Sequence, residues 1–595
     1  MADAVSTFKA NCRGGLNTGA DVLSLGADNP GSAIQLLNYE PNLEGGYRRI
    51  SGYADKFAAV TGTGSVLGVV VANGVNQGIL ACRTPSSGNN YLHWWNFYYT
   101  VAVTSGHGTN FTVGETVTAV TSSSDDTSTG VSGTVKAVAS ASITIDFGRL
   151  PSSVFATSNV LTGGTSDATT TVTSTPSVIG WTAVTTSGSP TMTGVSKVRF
   201  TEINFGTPKV VLTDGINPAA TYDGTTYTQI TDSNAPTDPK MSAEFQNHLF
   251  LTGDPAQVSN LYFSAPTAET DFTPANGGGV INVGFEIVAI KKFRNVLYIF
   301  GTNNIKRLVG ENSANFTLET VTSNLGCLAT DSVVELGGDL LFLAPDGIRP
   351  IGGTSKIGDV NLETVSKNIQ STVTGVIDAE DLSTLSSVII RSKSQFRYLF
   401  STSSSQGILG ALREHQGNIS FEFAQTFGIA CTCADSGYIG QEEFVIHGQS
   451  DGKIYRQESG NAFDTGNILS ILKTPFIYMD NPEQRKTYYG SSTYMSAEGN
   501  FSIAVSVTYD YDNTDILTPE NLTMSTTSPG AFYDRGTNVA VFDTTDIYDG
   551  NPSPVESITF SGSGKAIALT YVTDDTNDSH SIQGFTITYG LGDVR

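Results

Sequence analysis

One arrangement of apolar and polar positions returns along the chain: an apolar run of strand length, a short polar turn, then a second apolar run. It opens at Val66 in VLGVVVANGVNQGILACR and at Pro208 in PKVVLTDGINPAATYDG. It returns at Asn247 (NHLFLTGDPAQVSNLYFSAP), Asn295 (NVLYIFGTNNIKRLVG), Asp339 (DLLFLAPDGIRPIGG), Phe396 (FRYLFSTSSSQGILGAL) and Glu443 (EFVIHGQSDGKIYRQ). About seven units result, spaced roughly 40–60 residues apart outside one large interruption, a spacing that suits propeller blades. Asp214-Gly215, Asp346-Gly347 and Asp451-Gly452 suit hairpin turns that need positive φ. Runs such as LYIF and LLFL are apolar on both faces, as strands sandwiched between neighbouring sheets are. One four-stranded sheet cannot bury both faces, whereas sheets stacked in a ring can. The pattern predicts a β-propeller of about six or seven blades over residues 56–105 and 178–470.

The interruption follows NYLHWWNFYYTV, and the blade pattern resumes at VIGWTAV from Val178. Between them, FTVGETVTAVTS from Phe111 and VFATSNVLTGGTS from Val154 read as two copies of one strand–turn–strand element. Residues 106–177 are therefore expected to form a small inserted β domain on a blade loop, where insertions often carry partner contacts. After about residue 471 the pattern changes to alternation. GNFSIAVSVTYDYD places Phe501, Ile503, Val505, Val507 and Tyr509 on one face, and KAIALTY and FTITYG do the same. Residues 471–595 are expected to form a β-sandwich of half-exposed antiparallel strands. Residues 1–55 are Gly/Asn/Pro-rich and read as an extended arm with little core of its own. Helix is scarce, and LETVSKNIQSTVTGV from Leu362 is the best candidate. The predicted class is all-β.

Composition adds the partner classes. Over 595 residues the chain carries 32 Lys+Arg against 56 Asp+Glu, a formal net charge of −24. Such a balance disfavours general binding to nucleic acid, which needs cations to displace counterions. An acidic wall can still surround DNA without holding it. The five cysteines (Cys12, Cys82, Cys327, Cys431, Cys433) are odd in number and offer a C-x-C but no paired C-x-x-C, so reduced, buried thiols are expected. MADAVSTFKANCRGG lacks the apolar stretch of a secretion signal, and no run of about eighteen apolar residues suggests a membrane span. Synthesis and assembly in a cytoplasm are expected.

Catalytic patterns do not emerge. The six histidines do not pair at metal-ligand spacing. TFSGSGKA, Thr559 to Ala566, misses the P-loop pattern at both ends and reads as a hairpin turn. DYDNTD from Asp510 and DTTDIYDG from Asp543 are acidic enough to attract Ca²⁺, but the first lacks the central Gly and distal Glu of an EF loop. SDGKIY at Ser450 lacks the tryptophan and spacing of a sialidase Asp box, and Trp94, Trp95 and Trp181 all fall in the first unit. No catalytic, metal or cofactor-binding residue is nominated, and no cofactor.

RGGLNTGADVLSLGADNPGSAIQLLNYEPNLEGGYRRISGY, Arg13 to Tyr53, resembles the N-terminus of tail nozzle and tail hub proteins of short-tailed, podovirus-like bacteriophages. Asn38, Glu44, Gly45, Gly46, Arg48 and Arg49 carry the likeness. AIKKFRNVLYIFGTNNIKRL and SNLGCLATDSVVELGGDLLFLAPDGI are similar to the hub propeller, and TPFIYMDNPEQRKTYY to QGFTITY resembles the terminal sandwich. The insert lies outside the likeness. The resemblance implies a structural, non-enzymatic virion protein of the phage tail. It implies a homohexamer that forms the distal channel for genome ejection, joined to portal-side adaptor proteins and to tail fibres or spikes. Viral DNA would pass without specific binding. Tyr47, Arg48 and Arg49 are then expected at an interface with a neighbouring subunit or the adaptor, because arginine between aromatic rings pairs and stacks well there. A receptor- or carbohydrate-binding tail protein and a propeller glycoside hydrolase are the competing readings.

Overall fold

The computed structural model describes residues 5–592 apart from 76, 89–90, 123–124, 149–150, 152, 189–191, 193, 353–363, 416, 480, 514–515, 520 and 526–554. The repeated units are consecutive antiparallel sheets. Blade 1 contains Thr63–Ala72, Gly78–Thr84, Leu92–Ala102 and Ser177–Ala183; blade 2 begins at Arg199–Asn204, blade 3 at Met241–Phe245 and blade 4 at Ala289–Phe293. Blade 5 contains Val334–Leu336, Asp339–Ala344 and Gly347–Pro350; blade 6 begins at Ser386–Ile390 and blade 7 at Cys433–Ile439. The first strand of each blade packs beside that of the next. Between blades 4 and 5 the short turn Thr330–Ser332 makes the contact, and blade 7 returns to blade 1. The chain is thus an all-β protein built on a seven-bladed propeller.

Side-chain chemistry explains the ring. Apolar residues from facing sheets fill the gaps, with Leu67, Leu80, Val198, Leu212 and Tyr227 between blades 1 and 2, and Phe250, Phe263, Leu297 and Ile299 between blades 3 and 4. Burying both faces of every sheet removes the apolar runs from water, the dominant favourable term in folding. Tight turns link first and second strands. Gln246-Asn247 and Arg294-Asn295 adopt positive φ at both positions, as Gly337-Gly338 does in blade 5. Consecutive positive φ matches the strand twist of a two-residue hairpin. The Asp346 turn sits one residue earlier than the sequence suggests: Ala344 pairs with Gly347, so Pro345 and Asp346 form the turn.

The insert is a continuation of blade 1. Leu92–Ala102 is eleven residues long, and its far end pairs with Ser142–Asp146. From there the sheet runs through Asp125–Ala139, Thr116–Ser122 and Val160–Gly163 to Thr169–Thr171, and a Val103–Val172 bridge brings the last edge back to the first. The resulting small barrel encloses Val101, Phe111, Val117, Ile145, Phe155 and Leu161. The two similar elements are structural duplicates. Gly114 and Ser158 both have positive φ, and Glu115 and Asn159 each accept a hydrogen bond from the backbone N–H three residues earlier.

The C-terminal sandwich packs Lys486–Ala497, Val555–Gly564 and His580–Leu591 against Ile468–Lys473, Ser502–Tyr509, Leu522–Ser525 and Ile567–Asp575. TFSGSGKA lies at the hairpin between Val555–Gly564 and Ile567–Asp575. The helix expected from Leu362 spans Gln370–Ala379, and the start of that stretch lies outside the described residues. A short helix, Val22–Asp28, is capped by the Asp21 carboxylate, which accepts from the Ser24 N–H at 2.9 Å.

The arm is extended and its core is supplied by other parts of the chain. Leu16, Leu36, Tyr39, Tyr47 and Ile50 are buried in the largest core, shared with blades 5 to 7 and the sandwich. Val5–Asn11 and Tyr47–Arg49 pair with His580–Leu591, and Gln35–Leu37 pairs on one side with Ile468–Lys473 and on the other with blade 6 at Gln425. Tyr53–Asp55 is the outer strand of blade 7. These strands are three to seven residues long. They find their partners in other parts of the chain, so their own periodicity could not announce them.

Candidate functional site at the arm junction and the blade axis

The residues singled out in the arm meet at the junction of arm, propeller and sandwich. Asn38, held at positive φ, donates to Phe427 O at 2.9 Å in the propeller and to Leu469 O at 2.8 Å in the sandwich, and it accepts from Phe427 N. One side-chain amide therefore ties both domains. Gly46 is also at positive φ, and a Cβ there would lie 2.4 Å from Ile582 O, so only glycine lets the turn lie on the strand beneath. Gly45 sits in open space and Glu44 is exposed.

Tyr47 and Arg49 are not available to a neighbouring subunit, which corrects the expectation for two of the three interface residues. Tyr47 is fully buried and its hydroxyl donates to Gly31 O at 2.9 Å. The Arg49 side chain is 1% exposed; it donates to Asn577 O at 2.8 Å, to Ile468 O at 3.2 Å and to Asp575 O, and pairs with the Asp575 carboxylate at 2.9 Å. Burial lowers its proton affinity and the Asp575 charge opposes that. Arg48 lies nearer the surface and forks onto Glu498 of the sandwich at 2.6 and 2.8 Å. Its other end reaches Glu40 at 3.3 Å.

Glu40 is the centre of the network. Its carboxylate accepts from Lys393 at 2.6 Å and from Arg397 at 3.2 Å in blade 6, and both cations also contact Glu458 beyond blade 7. Three cations and three carboxylates interlock across four parts of the chain. Buried charges at this density persist only when each is paired and hydrogen-bonded. The arm is thus charge-locked as well as apolar-packed.

The second candidate is the blade axis. First-strand side chains surround a channel of about 390 Å³ that includes Glu202, Glu244, Lys291, Lys292 and Asp435. Polar pairs stitch neighbouring blades along its wall. Thr201 donates to Ser242 O at 3.0 Å, Lys292 pairs with Glu244, and Asp435 accepts from Val71 N at 2.8 Å where blade 7 meets blade 1. Burial pushes the Asp435 carboxyl up to about 6.

At the face where first strands begin, an ion cluster crosses the axis. Lys197 and Arg199 enter blade 2, and Asp331 enters blade 5, three positions away in a ring of seven. Asp331 accepts from Arg199 at 2.7 and 2.8 Å and pairs with Lys197 at 2.9 Å; Lys197 also donates to Leu385 O at 2.5 Å and Ser386 Oγ at 2.9 Å before blade 6. Burial would raise the Asp331 carboxyl, but Arg199 and Lys197 outweigh it and hold it well below the ordinary range. No sequence signal marks this cluster, because Arg199 and Asp331 are 132 residues apart.

Other candidates resolve locally. Asp510 Oδ1 accepts from Ala566 N at 2.9 Å, so the DYDNTD turn caps the neighbouring hairpin. The acidic stretch from Asp543 lies outside the described residues. All five cysteines are buried thiols. Among the described residues no three His, Cys, Asp or Glu side chains gather as a metal site, and no helix is long and apolar enough to cross a membrane.

No family model and no curated protein matches the chain. Among solved structures, an exo-β-1,3-galactanase from Phanerochaete chrysosporium is similar at 10% identity and a TM-score of 0.23, over 68% of this chain and 98% of its own. Hsv2p of Kluyveromyces lactis is similar at 7% identity and a TM-score of 0.24, over 60% of this chain and 97% of its own. Likeness at this level says nothing about activity.

Proposed function

We propose that this chain is a non-catalytic structural subunit of a short-tailed phage tail nozzle, six copies of which ring the path by which DNA leaves the virion. The observation that carries the reading is the arm junction. Among the residues that carry the resemblance to nozzle and hub proteins, Asn38 bridges propeller and sandwich, and Gly46, Arg48 and Arg49 fasten the arm to the sandwich. A tube wall needs such a weld, because a hinge between the domains would let the ring flex under load. The carboxylates Glu202, Glu244, Asp331 and Asp435 at the blade axis are committed to contacts between blades, a structural use rather than an acid–base one.

The DNA path in this reading runs between copies, since Lys197, Arg199 and Asp331 cross the axis within each one. A net charge of −24 per copy keeps such a path from adhering to phosphate. Adaptor and fibre contacts then fall on surfaces other than Tyr47 and Arg49, and the insert barrel is an exposed candidate. Sedimentation and negative-stain imaging of the purified protein test the proposal. A closed ring of six is expected, placed at the distal tail in virions. A protein that stays monomeric, or that labels fibre tips, overturns it.

A further inference from the structure

The cluster across the blade axis holds more positive charge than Asp331 can use. Lys240, at the start of blade 3, lies beside it and forms no ion pair among the described residues. Lys240, Arg199 and Asp331 all line a second cavity of about 510 Å³ on the outer side of the cluster, between blades 3, 4 and 5. Arg199 turns Nε and Nη2 toward Asp331, which leaves Nη1 for another acceptor. The cations near Lys240 are Arg199 and Lys197, and the carboxylates are Asp331 and the exposed Glu286. In the lining itself Lys240 and Arg199 stand with Asp331 and Glu286, and since Asp331 is taken up by Arg199 and by Lys197 behind it, Lys240 is the cation left over. Val258, Ile287 and Leu382 supply an apolar part of the wall, beside the hydroxyls of Thr302, Thr330 and Ser383. A concavity that sets an apolar patch beside convergent charged groups suits a small molecule with an apolar body and a charged head.

We propose that this cavity binds a small organic anion, with its carboxylate or phosphate head between Lys240 and Arg199 and its apolar body against Val258 and Ile287. Burial, and then the charges of Arg199 and Lys197, disfavours the Lys240 ammonium, and a bound anion relieves that cost. For the same reason Lys240→Met removes a cation from a crowded positive site, and the variant is expected to fold.

Isothermal titration of the full chain with phenyl phosphate and with benzoate, at an ionic strength matched with sodium chloride, tests the site. Saturable binding of at least one probe is expected, and which one binds decides between a phosphate and a carboxylate head. Lys240→Met should weaken that binding at least tenfold. Lys9→Met, on a distant strand, should leave it unchanged, and circular dichroism and thermal melts confirm the fold of both variants. Equal binding to Lys240→Met, or no saturable heat with either probe, overturns the proposal.

Discussion

Replacing Arg49 and Arg48 one at a time by methionine separates two residues that the sequence presents as a matched pair. The Arg49 guanidinium serves three carbonyls, Asn577 O, Ile468 O and Asp575 O, and the Asp575 carboxylate, with 1% of its side chain exposed. Arg49→Met leaves those acceptors without their donor. Removing one partner of a buried pair costs about 3–5 kcal/mol. Arg48 pairs with Glu498, whose side chain is 52% exposed, and a pair of that kind contributes about 0–1 kcal/mol. Its second contact, Glu40, keeps Lys393 and Arg397 when Arg48 is lost. The expected gap between the variants is about 3 kcal/mol, or about a hundredfold in local opening. Hydrogen exchange of the amides in Ile468–Lys473 and Ile567–Asp575 reads that opening directly, and urea midpoints give an independent ranking. If Arg48→Met speeds exchange as much as Arg49→Met, the burial argument is wrong.

Acid should loosen the same junction. Burial raises Glu458, but Arg397 and Lys393 outweigh it and bring the carboxyl from its ordinary 4.5 down to about 2. The folded value is the depressed one, so this stabilisation is complete above about pH 4.5 and is lost as pH falls toward 2. Near-UV circular dichroism against pH should show loss in that window, and Glu458→Gln should remove this part of the acid dependence; an unchanged profile contradicts it. In the insert, Glu115 accepts from Thr112 N at 2.7 Å, Thr165 N at 3.0 Å and Ser166 N at 2.9 Å. Glu115→Ala should destabilise the barrel by about 2–3 kcal/mol through orphaned donors. Limited proteolysis should then cut within 106–177 while the propeller stays intact, and an unchanged digestion pattern speaks against this role.

What the sequence conveyed followed from how local each signal was. Six of the seven repeated units open at or beside the second strand of a blade, because a strand packed between two sheets must be apolar on both faces. The duplicated insert was legible from Phe111 and Phe155, each with its turn and apolar strand close behind. The arm's partners were not, since glycine and asparagine look like coil when their structural partners lie hundreds of residues away. Asn38 to Leu469 spans 431 positions. Arginine between aromatics suits a contact within one chain as well as one between subunits, so the sequence around Tyr47 and Arg49 does not distinguish the two. The ion cluster at the blade axis had no local signature, as charge pairing across a ring leaves no period behind.

Tyr53–Asp55 finishes blade 7, and Val5–Asn11 lies against His580–Leu591. Both arm strands therefore wait for partners that lie hundreds of positions further along. Neither sheet can be completed until those distant strands exist, so maturation is governed by long-range pairing and should be slow. A chain lacking Ile454–Gln457 leaves Tyr53–Asp55 without the strand that receives it, so the ring stays open until that one distant pairing is made.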